Sequence, residues 1–305
     1  MIDPSHVRAR AVIRAVAAAG IVVVVVVLSM SALLRLRAAG LGCADWPACY
    51  GRADLEATAP SLARLLHRIS AAAATFAVVS IGVIAASRAR SFRQELASTG
   101  VMFMLLIGLA SLGRSSADAQ SAAVPLFNVL GGMVLVALFG RIATAGVHRN
   151  APPPRWAHPL AWVGVLVLLV QIALGVLTSA TFSGLSCTDL AGCASGPGLK
   201  HVPDMSGPLL PREPSVALHM LHRVTALLVG AVFLALACGL RRVNAPLALL
   251  LVASVVSQGA LGFVMVATSL PLPLAVAHNV GAALLVCVLA AAQHAAAPSA
   301  RIDLG

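Results

Sequence analysis

The sequence predicts an all-α membrane protein in which eight transmembrane helices form two tandem, parallel-repeat four-helix bundles. Three observations predict it. Of 305 residues, 60% are hydrophobic and 10% are charged, which excludes an ordinary soluble domain. Eight apolar runs, near residues 11–33, 63–86, 97–113, 121–145, 158–180, 216–240, 243–268 and 272–294, approach or exceed the roughly 20 residues an α-helix needs to cross a bilayer. The pattern Gly-Leu-x-Cys-x-Asp-x-x-x-Cys then occurs twice, from Gly40 to Cys49 and from Gly184 to Cys193.

The runs are rich in Leu, Val and Ala and lack period-two alternation, so a membrane β-barrel is excluded. The first is too long and uninterrupted for a cleaved signal peptide, and no good cleavage site follows it.

The duplication extends beyond the loops. Leu66-His67-Arg68 near the start of the second run matches Leu221-His222-Arg223 near the start of the sixth. Leu126-Phe127-Asn128-Val129 in the fourth run matches Ala277-His278-Asn279-Val280 in the eighth. Gly108 and Gly259 precede Phe127 and His278 by the same interval. Residues 1–150 thus form one four-helix half and residues 158–305 the other. The linker at 151–157 contains Pro152-Pro153-Pro154, which cannot continue a helix. Both halves start on the same side of the membrane, so the repeat axis lies along the membrane normal.

The net charge of +11 is spread over short loops, which argues against a nucleic-acid partner. Placing the N-terminus in the cytoplasm gathers Arg8, Arg10, Arg14, Arg88, Arg90, Arg93, Arg141, Arg149, Arg155, Arg241, Arg242 and Arg301 there, against Asp3, Glu95 and Asp303. Both termini are then cytoplasmic and the Cys loops face out, as for a protein of a bacterial inner membrane. The outer side is oxidising, so Cys43 with Cys49, and Cys187 with Cys193, read as disulfide pairs; the alternative is thiol pairs that bind metal. Cys238 and Cys287 lie within apolar runs and read as small core residues.

His67, His222 and His278 each lie near the start of an even-numbered run, at similar depth in the outer leaflet. A lone intramembrane histidine reads most simply as a hydrogen-bond donor to a neighbouring helix. Two at matched depth on helices of one bundle read as the axial ligands of a haem, and His222 and His278 are that pair. Arg68 and Arg223 each follow a histidine, turned by about 100° around the helix. An arginine fork there suits a haem propionate; the alternative is snorkelling to lipid phosphates. His219 shares the face of His222 and reads as a supporting group or a propionate contact. His201 lies in a Gly- and Pro-rich outer loop that could cap the site, whereas His148, His158 and His294 read as interfacial, as do Trp156 and Trp162.

Arg35 to Arg52 reads Arg-Leu-x-x-x-Gly-Leu-x-Cys-x-Asp-Trp-Pro-x-Cys-x-Gly-Arg. With the two His-Arg pairs and Ala277-His278-Asn279, this segment resembles the haem A synthase family of eight-helix membrane enzymes, and the resemblance spans nearly the whole chain. It implies a C-terminal half that binds haem b through His222 and His278. It also implies an N-terminal half in which haem O docks as substrate, with His67 on its iron, and its methyl group is oxidised to the formyl group of haem A. The loop cysteines of the family form disulfides. Two departures fall in the N-terminal half: Phe127 stands where the family has a second histidine, and Arg64 where it usually has a glutamate, although Asp54 and Glu56 lie close by in sequence.

A haem b-binding membrane protein without the oxidation chemistry, serving electron transfer, haem handling or oxidase assembly, is the alternative that Phe127 and Arg64 support. A transporter ranks below both, because midplane charges and broken helices are lacking. The partners implied are the lipid bilayer, haem O, a haem O synthase and an external electron donor, with a homo-oligomer left open.

Overall fold

The computed structural model describes residues 4–38, 59–115, 123–145, 149–181, 183–186 and 216–298. The eight predicted runs are eight helices: α1 (Pro4–Ala38), α2 (Ala59–Ala86), α3 (Arg93–Ser115), α4 (Ala123–Ala143), α5 (Ala157–Ala180), α6 (Val216–Leu240), α7 (Ala245–Ala267) and α8 (Leu272–Ala296). Each is long and apolar enough to cross a membrane, and no strand occurs among the described residues. The protein is an integral membrane protein. The helix α1 outruns its apolar stretch at both ends, because neither the Arg8-Arg10-Arg14 turns nor the Arg35-Arg37 turn contains an internal Gly or Pro to stop it.

Local chemistry fixes several boundaries. Asn244 caps α7, its side chain accepting from Leu247 N at 3.0 Å, with Pro246 in the first turn where a missing N–H costs nothing. The other end of α7 closes with Leu270 N donating to Met265 O at 2.7 Å and Ser269 N to Val266 O at 3.1 Å. This is a Schellman pair made without glycine, and Ser269 and Leu270 both take positive φ (62° and 58°). Such residues are strained by roughly 1–2 kcal/mol each. Burial offsets that strain. Leu270 packs with Ala32 and Leu36 of α1, Ala275 of α8 and Met265 of α7. The turn thus draws the first helix of the chain onto the last two.

Helices α1 to α4 pack in a ring, each on the next and α4 back on α1. Helices α5 to α8 pack in the same order, with α8 back on α5. The two rings meet through α4 on α8, α1 on α8 and α4 on α5. In lipid, close approach of small residues replaces the hydrophobic effect as the source of helix affinity. At Gly140 of α4, an added Cβ would lie 3.3 Å from Ala290 Cβ of α8. The packed core, with Phe139, Phe233, Leu236 and Leu240, lies towards the end that carries the linker.

That end is also tied by polar groups. Arg141 Nη1 donates to Gln293 Oε1 at 3.3 Å, Arg149 Nη1 to Ala297 O at 2.6 Å, and Asn150 N to Val243 O at 2.8 Å. His294, read as interfacial, lies in the last turn of α8 at this end and meets α4, with Nε2 at 2.8 Å from Arg141 O.

Candidate functional site

The opposite end of α5–α8 is hollow. A cavity of about 760 Å³ lies between them, with α1 and α4 closing one side. Its walls are mainly aliphatic, including Leu168, Ile172, Val176, Val255, Val266 and Leu285. Sites for small molecules and cofactors are commonly apolar hollows of roughly 300–1,000 Å³ with a few convergent polar groups.

His222 of α6 and His278 of α8 both line this cavity. Each ring leans with its Cε1 edge on a glycine of a different helix. A Cβ added at Gly175 of α5 would come 2.9 Å from Cε1 of His222, and one added at Gly262 of α7 would come 3.0 Å from Cε1 of His278. Glycine at both places lets the ring approach the helix backbone, and a larger side chain would need the ring to give way. One turn before each glycine stands a glutamine. Gln171 Nε2 lies 3.4 Å from His222 Nε2, and Gln258 Nε2 donates to the backbone oxygen of His278 at 2.9 Å. These four residues escaped the sequence reading, yet the sequence carries their signal: Gln171-Ile172-Ala173-Leu174-Gly175 and Gln258-Gly259-Ala260-Leu261-Gly262.

The polar groups of the site are short of partners. The Nδ1 atoms of His219, His222 and His278 are buried with no hydrogen-bond partner among the described residues, as is Nη1 of Arg35. Each such atom costs about 1–3 kcal/mol if nothing meets it. His219, itself 3% exposed, also lines the cavity and bonds the Ser183 backbone in the short 3₁₀ turn that follows α5. Arg223 and Arg35 line it too. Arg35 Nε donates to Ser179 Oγ at 2.9 Å, and Nη2 donates to Asn279 Oδ1 at 3.3 Å. Asn279 Nδ2 in turn donates to Ala275 O at 2.8 Å, which holds its oxygen towards the arginine.

The predicted residues therefore divide. The structure brings together His222, His278 and Arg223, with His219 beside them. His67 is half-buried on α2, Arg64 and Arg68 are exposed, and neither His67 nor Arg68 lines this cavity. Phe127 of α4 is 58% exposed. In the register of the predicted repeat, Ser31 and Ser111 stand where the second half has Gly175 and Gly262, and Val27 and Ile107 where it has the glutamines. Cys43, Cys49, Cys187, Cys193 and His201 lie outside the described residues. Among the described residues Cys238 and Cys287 are free thiols, Cys238 exposed rather than in the core and Cys287 partly buried against it.

The profile of the COX15-CtaA family, described as cytochrome oxidase assembly proteins, matches residues 124–290. The chain belongs to that family. The matched segment runs from α4 to α8 and so holds every residue of the cavity except those of α1. Over 297 residues the chain is also 28% identical to a haem A synthase of Shewanella oneidensis, an alignment that covers 85% of this chain and 89% of that protein.

Proposed function

We propose that this protein is a haem A synthase-type membrane oxidoreductase, which oxidises the methyl group of haem O to the formyl group of haem A, with haem b as its cofactor. One observation carries the reading: two histidines from different helices, each seated on its own glycine, face one large apolar cavity. The donor set fits an iron porphyrin. The walls suit a flat hydrophobic ring, the imidazoles with their unpartnered Nδ1 atoms suit iron, and the arginines suit carboxylates.

In this reading His222 and His278 hold haem b, which when bound supplies one-electron transfer between an external donor and the substrate half. Gly175 and Gly262 set the angle of each imidazole, and Gln171 restrains the His222 ring. The aliphatic walls present an apolar surface to the ring. His67, in the N-terminal half (1–150), is the residue assigned to the haem O iron, with Arg68 at a propionate; Arg223 takes that role in the C-terminal half (158–305). The orientation proposed is cytoplasmic at the linker end, since Arg141, Arg149, Arg155, Arg241 and Arg242 gather there. The loop cysteines are assigned as the disulfides Cys43–Cys49 and Cys187–Cys193.

Phe127, a residue without a donor atom at the position repeated as His278, favours a second reading: a haem b-binding protein without the oxidation chemistry. Co-expression with a haem O synthase, in a host lacking its own haem A synthase, separates the two. Haem A or its hydroxylated precursor in the extracted haems is the expected result. Haem b in the purified protein with haem O unconverted, although reductant is supplied, would refute the catalytic reading.

A further inference from the structure

Arg35 belongs to α1, yet its guanidinium lines the cavity built from α5 to α8. Two of its nitrogens are spent on Ser179 and Asn279, and Nη1 is closed off from solvent with no partner among the described residues. Burying a cation without a counter-charge is costly, and it is retained where an anion meets it. Glu95 is the sole carboxylate among the described residues, and it lies at the other end of the molecule, 3.7 Å from Arg10. The second copy of the repeated pattern places Ser179 where the first has Arg35. These two positions touch, as matching positions beside a two-fold axis must. Only one of them can then be a cation without two charges facing each other. The cation here is on the first half, and its companion Asn279 directly follows His278.

We propose that Arg35 holds a carboxylate of the porphyrin bound in the second-half cavity, so that the cofactor site of the C-terminal half is completed by a helix of the N-terminal half. The inference rests on the haem reading above and adds to it the group that recognises the carboxylate. Asn279 fixes the fork, and Ser179 keeps Nε from turning away. The residue acts by binding and takes no part in the reaction.

The test uses full-length, haem-free protein in lipid-free detergent, titrated with ferric protoporphyrin IX and with its dimethyl ester, which has the same ring and no carboxylate. The visible spectrum reports axial ligation independently of catalysis. Wild-type protein is expected to bind the diacid about ten- to a hundredfold more tightly than the ester, the range of one charge-assisted hydrogen-bonded contact. Arg35→Gln should lose roughly tenfold or more of that preference, leaving only the share held by Arg223, while keeping the bis-histidine spectrum, and Arg35→Lys should recover part of the loss, since it keeps the charge and loses the fork. Equal binding of diacid and ester by the wild type, which needs no variant to fold, overturns the proposal and points to a protein carboxylate on Arg35. An undiminished preference in Arg35→Gln also overturns it, and assigns the carboxylate to another cation such as Arg223. Failure of the wild type to bind either porphyrin overturns the haem reading itself, and this proposal with it.

Discussion

The two glycines under the histidines allow a quantitative trial of the site. Consider Gly175→Ala. The new Cβ would stand 2.9 Å from Cε1 of His222, and the same change at Gly262 would leave 3.0 Å to His278. Carbon atoms rest at about 3.5–4.0 Å, so the His222 ring must retreat by roughly 0.6–1.1 Å. Helices α5 and α6 hold both backbones, so the shift falls mainly on χ1 and χ2 of the histidine. Overpacking of one methyl costs about 1–3 kcal/mol. If the loss fell wholly on the bound state, it would weaken haem affinity by roughly five- to 150-fold. The assay is haem content per protein after purification, together with the low-spin signal in electron paramagnetic resonance, which reports the angle between two imidazoles. Gly175→Ala and Gly262→Ala should each lower occupancy and shift the signal. Gly230→Ala is the control, because nothing lies within 4 Å of its added Cβ and alanine favours the helix. Full occupancy with an unchanged signal in both cavity variants would refute the view that the glycines seat the rings.

Three further outcomes are expected. His222→Ala and His278→Ala should each abolish the bis-histidine visible spectrum, because no other histidine of α5–α8 has its place on a cavity glycine; unchanged spectra in both would sink the ligand assignment. Phe127→His should supply a second donor in the first half and alter haem content or spectrum, and an unaltered protein would count against the repeat register. Gly140→Leu should destabilise the α4–α8 contact, where a single added carbon already approaches Ala290 Cβ to 3.3 Å, by about 1–3 kcal/mol. Thermal unfolding followed by size-exclusion chromatography in detergent measures this, and an unmoved midpoint would show that the halves are held elsewhere.

Much of this protein was legible without coordinates, for a physical reason. Lipid offers the backbone no hydrogen-bond partners, so an apolar run of sufficient length must be a helix. Composition alone therefore marked out α2 to α8 to within a few residues, and α1 except for the arginine-bearing turns at its two ends. The matched spacing of His222 and His278 told which residues share a depth, because depth in a bilayer follows from position along the helix. Which helices face each other, and what lies beside each ring, is decided by packing that no periodicity reports. The seats at Gly175 and Gly262 needed both helix partners to be known. Two residues far apart in sequence, Arg35 and Asn279, meet where α1 packs on α8, beside the strained Ser269–Leu270 turn. Sequence determined the membrane class, the helices and the depth of the histidines. Tertiary structure decided that His67 stands apart from the cavity and that an arginine of the first helix enters it, because contacts across helices depend on rotation and tilt that a linear pattern leaves free.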